Sequence, residues 1–220
     1  MDPFQPKPED LPTEFAVFPL TGALMLPRGK LPLNIFEPRY LAMTLDSLAA
    51  GRMFGMIQPD PNAPKTDSGP GLYRIGCLGR LSSFSETDDG RLLITLTGLI
   101  RFSIVSELEV RNGYRRVHGD FSRFAADLGE PQAALFDREA ILAALRSYFT
   151  RRGVEANWDA IKRMDDDMLV ITLSMACPFE PVEKQALLEA QTGTDRAETL
   201  LALLQMGAAG PESTSGHSVS

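Results

Sequence analysis

The chain has 220 residues, with 22 basic and 29 acidic side chains and a net charge of −7 at pH 7. An apolar content of 44 % is ordinary for a globular protein, and no run of about 18 uncharged apolar residues predicts a membrane-spanning helix. An acidic surface repels phosphate backbones overall, so the composition argues against nucleic-acid binding.

The first part of the chain predicts short strands around one helix. Residues 1–13 hold four prolines and several charges, which favour an extended, mobile lead-in. Apolar residues at 15–18, alternation at 31–35 and apolar residues at 53–57 predict three strands. Pro38 suits the first position of the helix between the second and third, because its missing N–H is not needed there.

The segment that follows predicts long strands joined by tight turns. Residues 58–71 contain four prolines and two glycines and predict an exposed loop. A long strand then starts near Tyr73, and Asp88-Asp89-Gly90 and Asn112-Gly113 are turn signals. Such regular spacing is typical of a barrel or a twisted sheet that closes on itself.

From about Pro131 the apolar period becomes helical. We expect a helix over 132–152 and a short helix capped by Asn157. Asp165 or Asp166 would cap an apolar helix over 168–176, central to a small bundle, and a further helix would run from Pro181 to near Gly193. A last helix would begin with a capping box at Asp195 and Glu198 and end at Gly207.

The order of elements predicts an α+β fold with two subdomains, strands first and helices second. We place a β subdomain at residues 14–123 and a helical bundle at 131–207. Residues 124–131 are a plausible hinge between them. Residues 208–220 are rich in small and polar side chains and predict a disordered tail.

Several segments carry a family resemblance when they are taken in order. The chain opens with Phe18-Pro-Leu, continues with Ile35-Phe-Glu-Pro-Arg-Tyr40, and then shows a glycine-rich strand at 71–79. A Gly98-x-x-Arg101-Phe102 element and a final helix pair around 187–201 follow. Together these segments resemble the amino-terminal substrate-binding domain of Lon proteases.

The resemblance implies a PUA-like closed β-barrel or twisted sheet, followed by a C-terminal α-helical bundle, in a bacterial protein of protein quality control. In that family the domain binds substrate polypeptides, helps the protease to oligomerise, and performs no chemistry itself. We therefore expect a non-catalytic protein without the ATPase and Ser-Lys peptidase modules. We expect it to bind unfolded or exposed apolar polypeptide segments and to form at most a weak homo-oligomer.

The sequence motifs agree with an absence of catalysis. The Gly29-Lys30 pair lacks the loop and the Ser or Thr of a phosphate-binding Walker A motif. No nucleophile elbow and no His-Glu-x-x-His is present, so we predict no cofactor and no metal. Residues 165–167 are three aspartates, which favour a helix start over a cation site.

Cys77 and Cys177 stand 100 positions apart and have no ligand-spaced partner. They fit neither a zinc site nor a disulfide framework, and we interpret them as two buried apolar side chains in a reducing cytoplasm.

Two sets of residues are candidates for binding. The first is a set of apolar and aromatic side chains, with one arginine, that would hold polypeptide; each could equally fill the core or tie the helix start to the sheet. Its members are Phe36, Arg39, Tyr40, Met53, Phe54 and Met56. The second is a set around the Asn112-Gly113 turn that could contact an anion or RNA, or simply be a charged edge. Its members are Arg111, Arg115, Arg116 and His118.

Polypeptide binding is therefore the leading hypothesis. One alternative is an adaptor or regulator that docks on a separate ATP-dependent protease. A further alternative is RNA binding through the PUA-like barrel, which the acidic charge disfavours.

Overall fold

Residues 6–130 and 134–209 are described by the computed structural model, and within them the chain forms six strands and six α-helices. The strands are β1 (Glu14–Pro19), β2 (Lys30–Ile35), β3 (Met53–Ile57), β4 (Ile75–Glu86), β5 (Leu92–Arg111) and β6 (Tyr114–Asp120). The helices are α1 (Pro38–Ala49), α2 (Arg138–Arg152), α3 (Trp158–Arg163), α4 (Asp166–Ala176), α5 (Pro181–Glu189) and α6 (Gly193–Ala209). Short 3-10 helices lie at Pro8–Asp10 and Ser122–Leu128.

One mixed sheet contains all six strands in the order β2-β5-β4-β3-β1-β6. Strand β5 also pairs with β6, so five strands form a ring of pairings that starts and ends at β5. Only β1 and β3 run parallel among these pairs. The strands precede the helical layer, as the predicted α+β class requires. Strand β2 pairs with β5 outside the ring.

Aromatic rings fill the inside of the curled sheet because glycines leave room for them. The rings of Phe15 and Phe102 meet edge to face, with their centroids 4.9 Å apart. A Cβ on Gly76 would lie 2.5 Å from the Phe102 ring, and one on Gly119 would lie 2.6 Å from the Phe15 ring. These strand glycines therefore permit close packing of bulky side chains across the sheet.

The helix starts are set by side-chain caps. The carboxylate of Asp165 accepts a hydrogen bond from the Met168 N–H at 2.9 Å, and the side chain of Asn157 caps α3 in the same way. Both caps confirm the prediction from the sequence. Helix α2 begins at Arg138 behind an Asp137 cap, later than the predicted start at 132. Residues 131–133 lie outside the described part of the chain.

The last two helices differ from the prediction at three points. Helix α5 ends at Glu189, well before Gly193. The capping box of α6 is formed by Thr192 and Asp195, with two reciprocal hydrogen bonds of 3.0 Å, and not by Asp195 and Glu198. Helix α6 also continues through Gly207 and ends at Ala209. Gly207 does not end the helix; it lies against the Tyr148 ring and leaves room for that ring.

The start of the described chain is less extended than the sequence predicts. Pro8–Asp10 form a 3-10 turn in which the Asp10 carboxylate accepts from the Lys7 N–H, and Leu11 packs against the core. Residues 1–5 and 210–220 lie outside the described ranges. The division into units at 14–123 and 131–207 stays a prediction.

A buried arginine joins the sheet to the helices. The Arg101 side chain on β5 is 6 % exposed and donates to both carboxylate oxygens of Asp127, at 2.8 Å each. The same guanidinium donates to the carbonyl oxygens of Leu188 and Ala190, at the end of α5. Asp127 lies in the segment that the sequence suggested as a hinge, so this contact holds the segment to both halves.

A second junction uses amide and ammonium groups. Gln58, next to the end of β3, accepts from the Gly22 N–H and donates to the carbonyl of Pro181 at the start of α5. Gln185 on α5 donates to the carbonyl of Ile75, and Lys184 donates to that of Gly22 at 2.7 Å. Because buried polar groups are costly unless paired, these bonds favour one orientation of α5 on the sheet.

We predict that Asp127→Ala lowers the free energy of unfolding by about 3–5 kcal/mol, because it leaves the Arg101 guanidinium buried without its carboxylate. Urea denaturation followed by circular dichroism measures this change. The control is Glu14→Ala, which removes an exposed ion pair to Arg116 and should cost less than about 1 kcal/mol. Equal losses of unfolding free energy in the two variants would contradict the role of Asp127 as the partner of a buried Arg101.

We also predict that Gly207→Ala destabilises the chain, although the same change inside a helix normally stabilises by about 1 kcal/mol. The added Cβ would lie 2.4 Å from the Tyr148 ring, which is buried. The thermal unfolding midpoint should fall. A raised midpoint would mean that α6 does not pack on α2 in this register.

Candidate functional site

A groove lies where β2 ends and α1 begins. Its volume is about 210 Å³. One wall comes from the end of β1 and the residues after it, and the other from β2 and the first turn of α1. The groove is lined by Phe18, Pro19, Leu20, Leu33, Asn34, Ile35, Phe36, Glu37, Arg39 and Tyr40. Phe36 is 60 % exposed, so a large aromatic face points to solvent at this place.

Local contacts fix the polar side of the groove. Arg39 forms an ion pair with Glu37, with nitrogen–oxygen distances of 3.0 and 2.9 Å. The Arg39 guanidinium also lies 4.5 Å from the centre of the Tyr40 ring, a cation–π contact. Tyr40 in turn packs against Phe18, with ring centroids 4.1 Å apart. Burial raises the pKa of the Tyr40 hydroxyl, so that group stays neutral at physiological pH.

The structure separates the predicted polypeptide-binding residues into two groups. Phe36, Arg39 and Tyr40 line the groove together, although Tyr40 is largely buried. Phe54 and Met56 lie inside β3, between β1 and β4, and are buried. Met53 is half-buried at the start of the same strand and does not line the groove. Because Phe54 and Met56 are buried in the sheet, the proposed site excludes both.

An exposed aromatic side chain that the sequence did not indicate, Phe84, borders a depression next to the groove. Phe84 on β4 is 48 % exposed and borders a depression of about 500 Å³ on the same face of the sheet as Leu33, whereas Leu93 on β5 is 47 % exposed on the opposite face. Leu33 and Asn34 line both the groove and this depression, so the two adjoin at β2. The exposure of Leu93 follows from the run 92–94. Consecutive strand residues face opposite sides, so Leu93 points away from the buried Leu92 and Ile94.

Strand β2 is the free edge of the sheet within the described ranges. It pairs with β5 alone, from Lys30 opposite Thr97 to Ile35 opposite Leu92. Pro32 cannot donate a ladder hydrogen bond, which is typical of edge strands. The unpaired backbone groups of such an edge can accept an extended peptide as an additional strand.

The arginines near the Asn112-Gly113 turn are held by carboxylates. Arg115 is buried and makes a two-pronged ion pair with Glu107, with distances of 2.6 to 3.0 Å. Arg116 pairs with Glu14 at 3.1 Å, and Arg111 lies 3.6 Å from Asp46. His118 is half-buried on β6. The four candidate anion contacts are therefore spread over a hairpin whose charge is largely compensated.

The aspartates at 165–167 have separate structural partners. Asp165 caps α4, Asp166 pairs with Arg138, and Asp167 pairs with Arg28 at 2.7 Å. Across residues 6–130 and 134–209, no three His, Cys, Asp or Glu side chains come together as metal ligands would. In the same ranges, no helix has both the length and the apolar character needed to cross a membrane.

Comparison with known proteins gives the family. The model of the ATP-dependent protease La (LON) substrate-binding domain matches residues 14–206. The chain belongs to this family. The match includes both the strand half and the helices, as the resemblance seen in the sequence implied.

Solved structures show the same fold. A Lon N-terminal domain protein from Xanthomonas campestris superposes with a TM-score of 0.58 and 24 % identity, over 86 % of this chain and 98 % of that chain. The N-terminal domain of the Lon protease of the Mycobacterium avium complex gives a TM-score of 0.58 and 16 % identity, over 87 % and 97 %.

Curated relatives include full-length proteases. Lon protease of Flavobacterium johnsoniae is 23 % identical over 96 residues, which is 44 % of this chain and 12 % of the relative. Lon protease 1 of Herpetosiphon aurantiacus is 26 % identical over 112 residues, 48 % of this chain and 13 % of the relative. The chain thus matches a small fraction of the length of these relatives.

We predict that neither cysteine reacts with iodoacetamide at pH 8 while the protein is folded. Burial raises the pKa of the Cys177 thiol to about 12, and burial also raises the pKa of Cys77 strongly. A raised pKa leaves almost no reactive thiolate at pH 8. Mass spectrometry should detect no adduct on the native chain and two adducts after urea unfolding. Rapid native labelling would contradict the buried placement.

Proposed function

We propose that this protein is a non-catalytic module that binds unfolded or exposed apolar segments of polypeptide. The observation that carries the proposal is the groove beside the exposed Phe36, in a chain that matches a substrate-binding family over most of its length. The binding surface consists of the groove and the adjoining depression bordered by Leu33 and Phe84.

The chemistry of this surface suits an extended peptide of varied sequence. Apolar side chains of the peptide would enter the groove and the depression, where burial contributes about 25 cal/mol for each Å² removed from water. The peptide backbone would pair with the free edge of β2, and such main-chain hydrogen bonds do not depend on side-chain identity. Arg39 would accommodate a carboxylate or carbonyl of the peptide at the rim.

A second candidate is docking on a separate ATP-dependent protease. It is supported by the names of the curated relatives, which are Lon proteases. In this case the same apolar surface would face a folded partner. The two functions differ in their ligand and not in the forces that hold it.

We predict that Phe36→Ala weakens the binding of a labelled, permanently unfolded polypeptide about tenfold, or ~1.4 kcal/mol, because it removes a central aromatic contact. Fluorescence anisotropy measures the dissociation constant. Stability should hardly change, since most of this side chain is already in water.

The matched control is Val182→Ala on α5, which truncates an equally exposed apolar residue away from the groove. It should leave binding unchanged. Labelled single-stranded RNA is the parallel probe. If Phe36→Ala and Val182→Ala bind the polypeptide alike, the groove is not the site. If only RNA binds, polypeptide recognition is the wrong function.

A further inference from the structure

A second pocket lies at the start of β2, at the opposite end of the strand from the groove. Its volume is about 610 Å³. Six residues of extended strand separate the two places by about 17 Å. We call it the basic pocket; the side chains that define it are Arg28, Lys30, Arg52, Arg80, Leu99 and Leu128.

Positive charge is concentrated at this pocket in a chain of net charge −7. Its lining contains four cationic side chains and two carboxylates, and one of these, Asp127, is already held by Arg101. Arg28 has a partner in Asp167. In the described part of the chain, Lys30 and Arg52 form no ion pair with any carboxylate. The pocket therefore has cationic groups available for an anion.

The backbone holds two of these cations in an uncommon conformation. Arg28 and Arg52 have φ angles of +68° and +62°, in the left-handed region that favours glycine. The third such residue in the described ranges is Asn112, whose hairpin turn favours that conformation. Arg28 and Arg52 also lie in tight turns, which are closed by hydrogen bonds from the Gly29 N–H to the Leu26 carbonyl and from the Arg52 N–H to the Ser47 carbonyl. The turns place both side chains at the pocket.

Close packing explains how Arg28 is held. Its N–H donates to the carbonyl of Gly98 at 2.8 Å, and a Cβ on Gly98 would lie 2.0 Å from the Leu26 carbonyl oxygen. Arg52 is fixed by its carbonyl, which accepts from the Leu81 N–H at 2.8 Å. The backbone of both arginines is therefore already ordered beside the pocket. Binding an anion there would cost less conformational entropy, because this backbone does not have to become ordered.

We propose that the basic pocket binds an acidic segment of polypeptide, in which glutamate or aspartate lies next to an apolar residue. Lys30 and Arg52 would pair with the carboxylates, and the walls formed by Leu99 and Leu128 would receive the apolar side chain. A continuous phosphate backbone suits the pocket less, because Glu130 lies in its lining and the whole chain is acidic. This site is distinct from the groove and stands without it.

The test is fluorescence anisotropy of the whole chain with a labelled Gly/Ser peptide that contains Leu-Glu-Glu. A matched peptide carries Leu-Gln-Gln, and labelled single-stranded RNA is a third probe. We expect the glutamate peptide to bind roughly tenfold more tightly than the glutamine peptide, and this difference to shrink as salt is raised. Equal binding of the two peptides, or binding of RNA alone, would overturn the proposal.

Variants locate the site. Lys30→Gln with Arg52→Gln should abolish the preference for glutamate, whereas the charge-matched control Lys65→Gln with Lys162→Gln should keep it. Phe36→Ala should also keep the preference, which separates this site from the groove. If the control pair loses the preference to the same extent, the effect is one of net charge and the pocket is not the site. If the Lys30 and Arg52 variant does not fold, Lys30→Gln alone, at an exposed side chain, should still reduce the preference for glutamate, and an unchanged preference would overturn the proposal.

Discussion

The Arg101 guanidinium fixes the position of the helices on the sheet. It extends from strand β5, pairs with Asp127 in the segment between sheet and helices, and donates hydrogen bonds to carbonyl oxygens at the end of α5. A buried charge of this kind is tolerated only when every donor finds an acceptor, so a shift of one partner would leave the others unsatisfied. The Arg-Phe element noted in the sequence has a physical reason in this contact, with Phe102 filling the sheet beside it.

One edge of the sheet, on strand β2, is unpaired in the described ranges and can bind a further strand. The ring of strands uses both edges of β1, β3, β4 and β6, while β2 remains outside with one side unpaired in the described ranges. The groove with Phe36 lies at one end of β2 and the basic pocket with Lys30 at the other. Both proposed binding surfaces therefore follow from the same feature, an extra strand added to a closed set of pairings.

Local signals in the sequence predicted most elements, and tertiary contacts account for the errors. The caps at Asn157 and Asp165 could be predicted because each side chain accepts a hydrogen bond from an N–H only three residues later in the sequence. Gly207 was misread as a stop because its reason, the Tyr148 ring, comes from another helix. Among the candidate site residues, Phe36 precedes the helix start at Glu37-Pro38, whereas Phe54 lies within the apolar run 53–57. The burial of Phe54 depends on the place of β3 between β1 and β4, and no local pattern contains that strand order.

The most direct test of the account is hydrogen–deuterium exchange of the whole chain, with and without a saturating unfolded polypeptide. If the peptide lies in the groove and pairs with the free edge of the sheet, protection should increase over residues 30–40, which include β2 and the first turn of α1. The buried strand β3 should not change. Protection confined to the hairpin around Asn112, or to the helical half, would contradict the groove as the binding site.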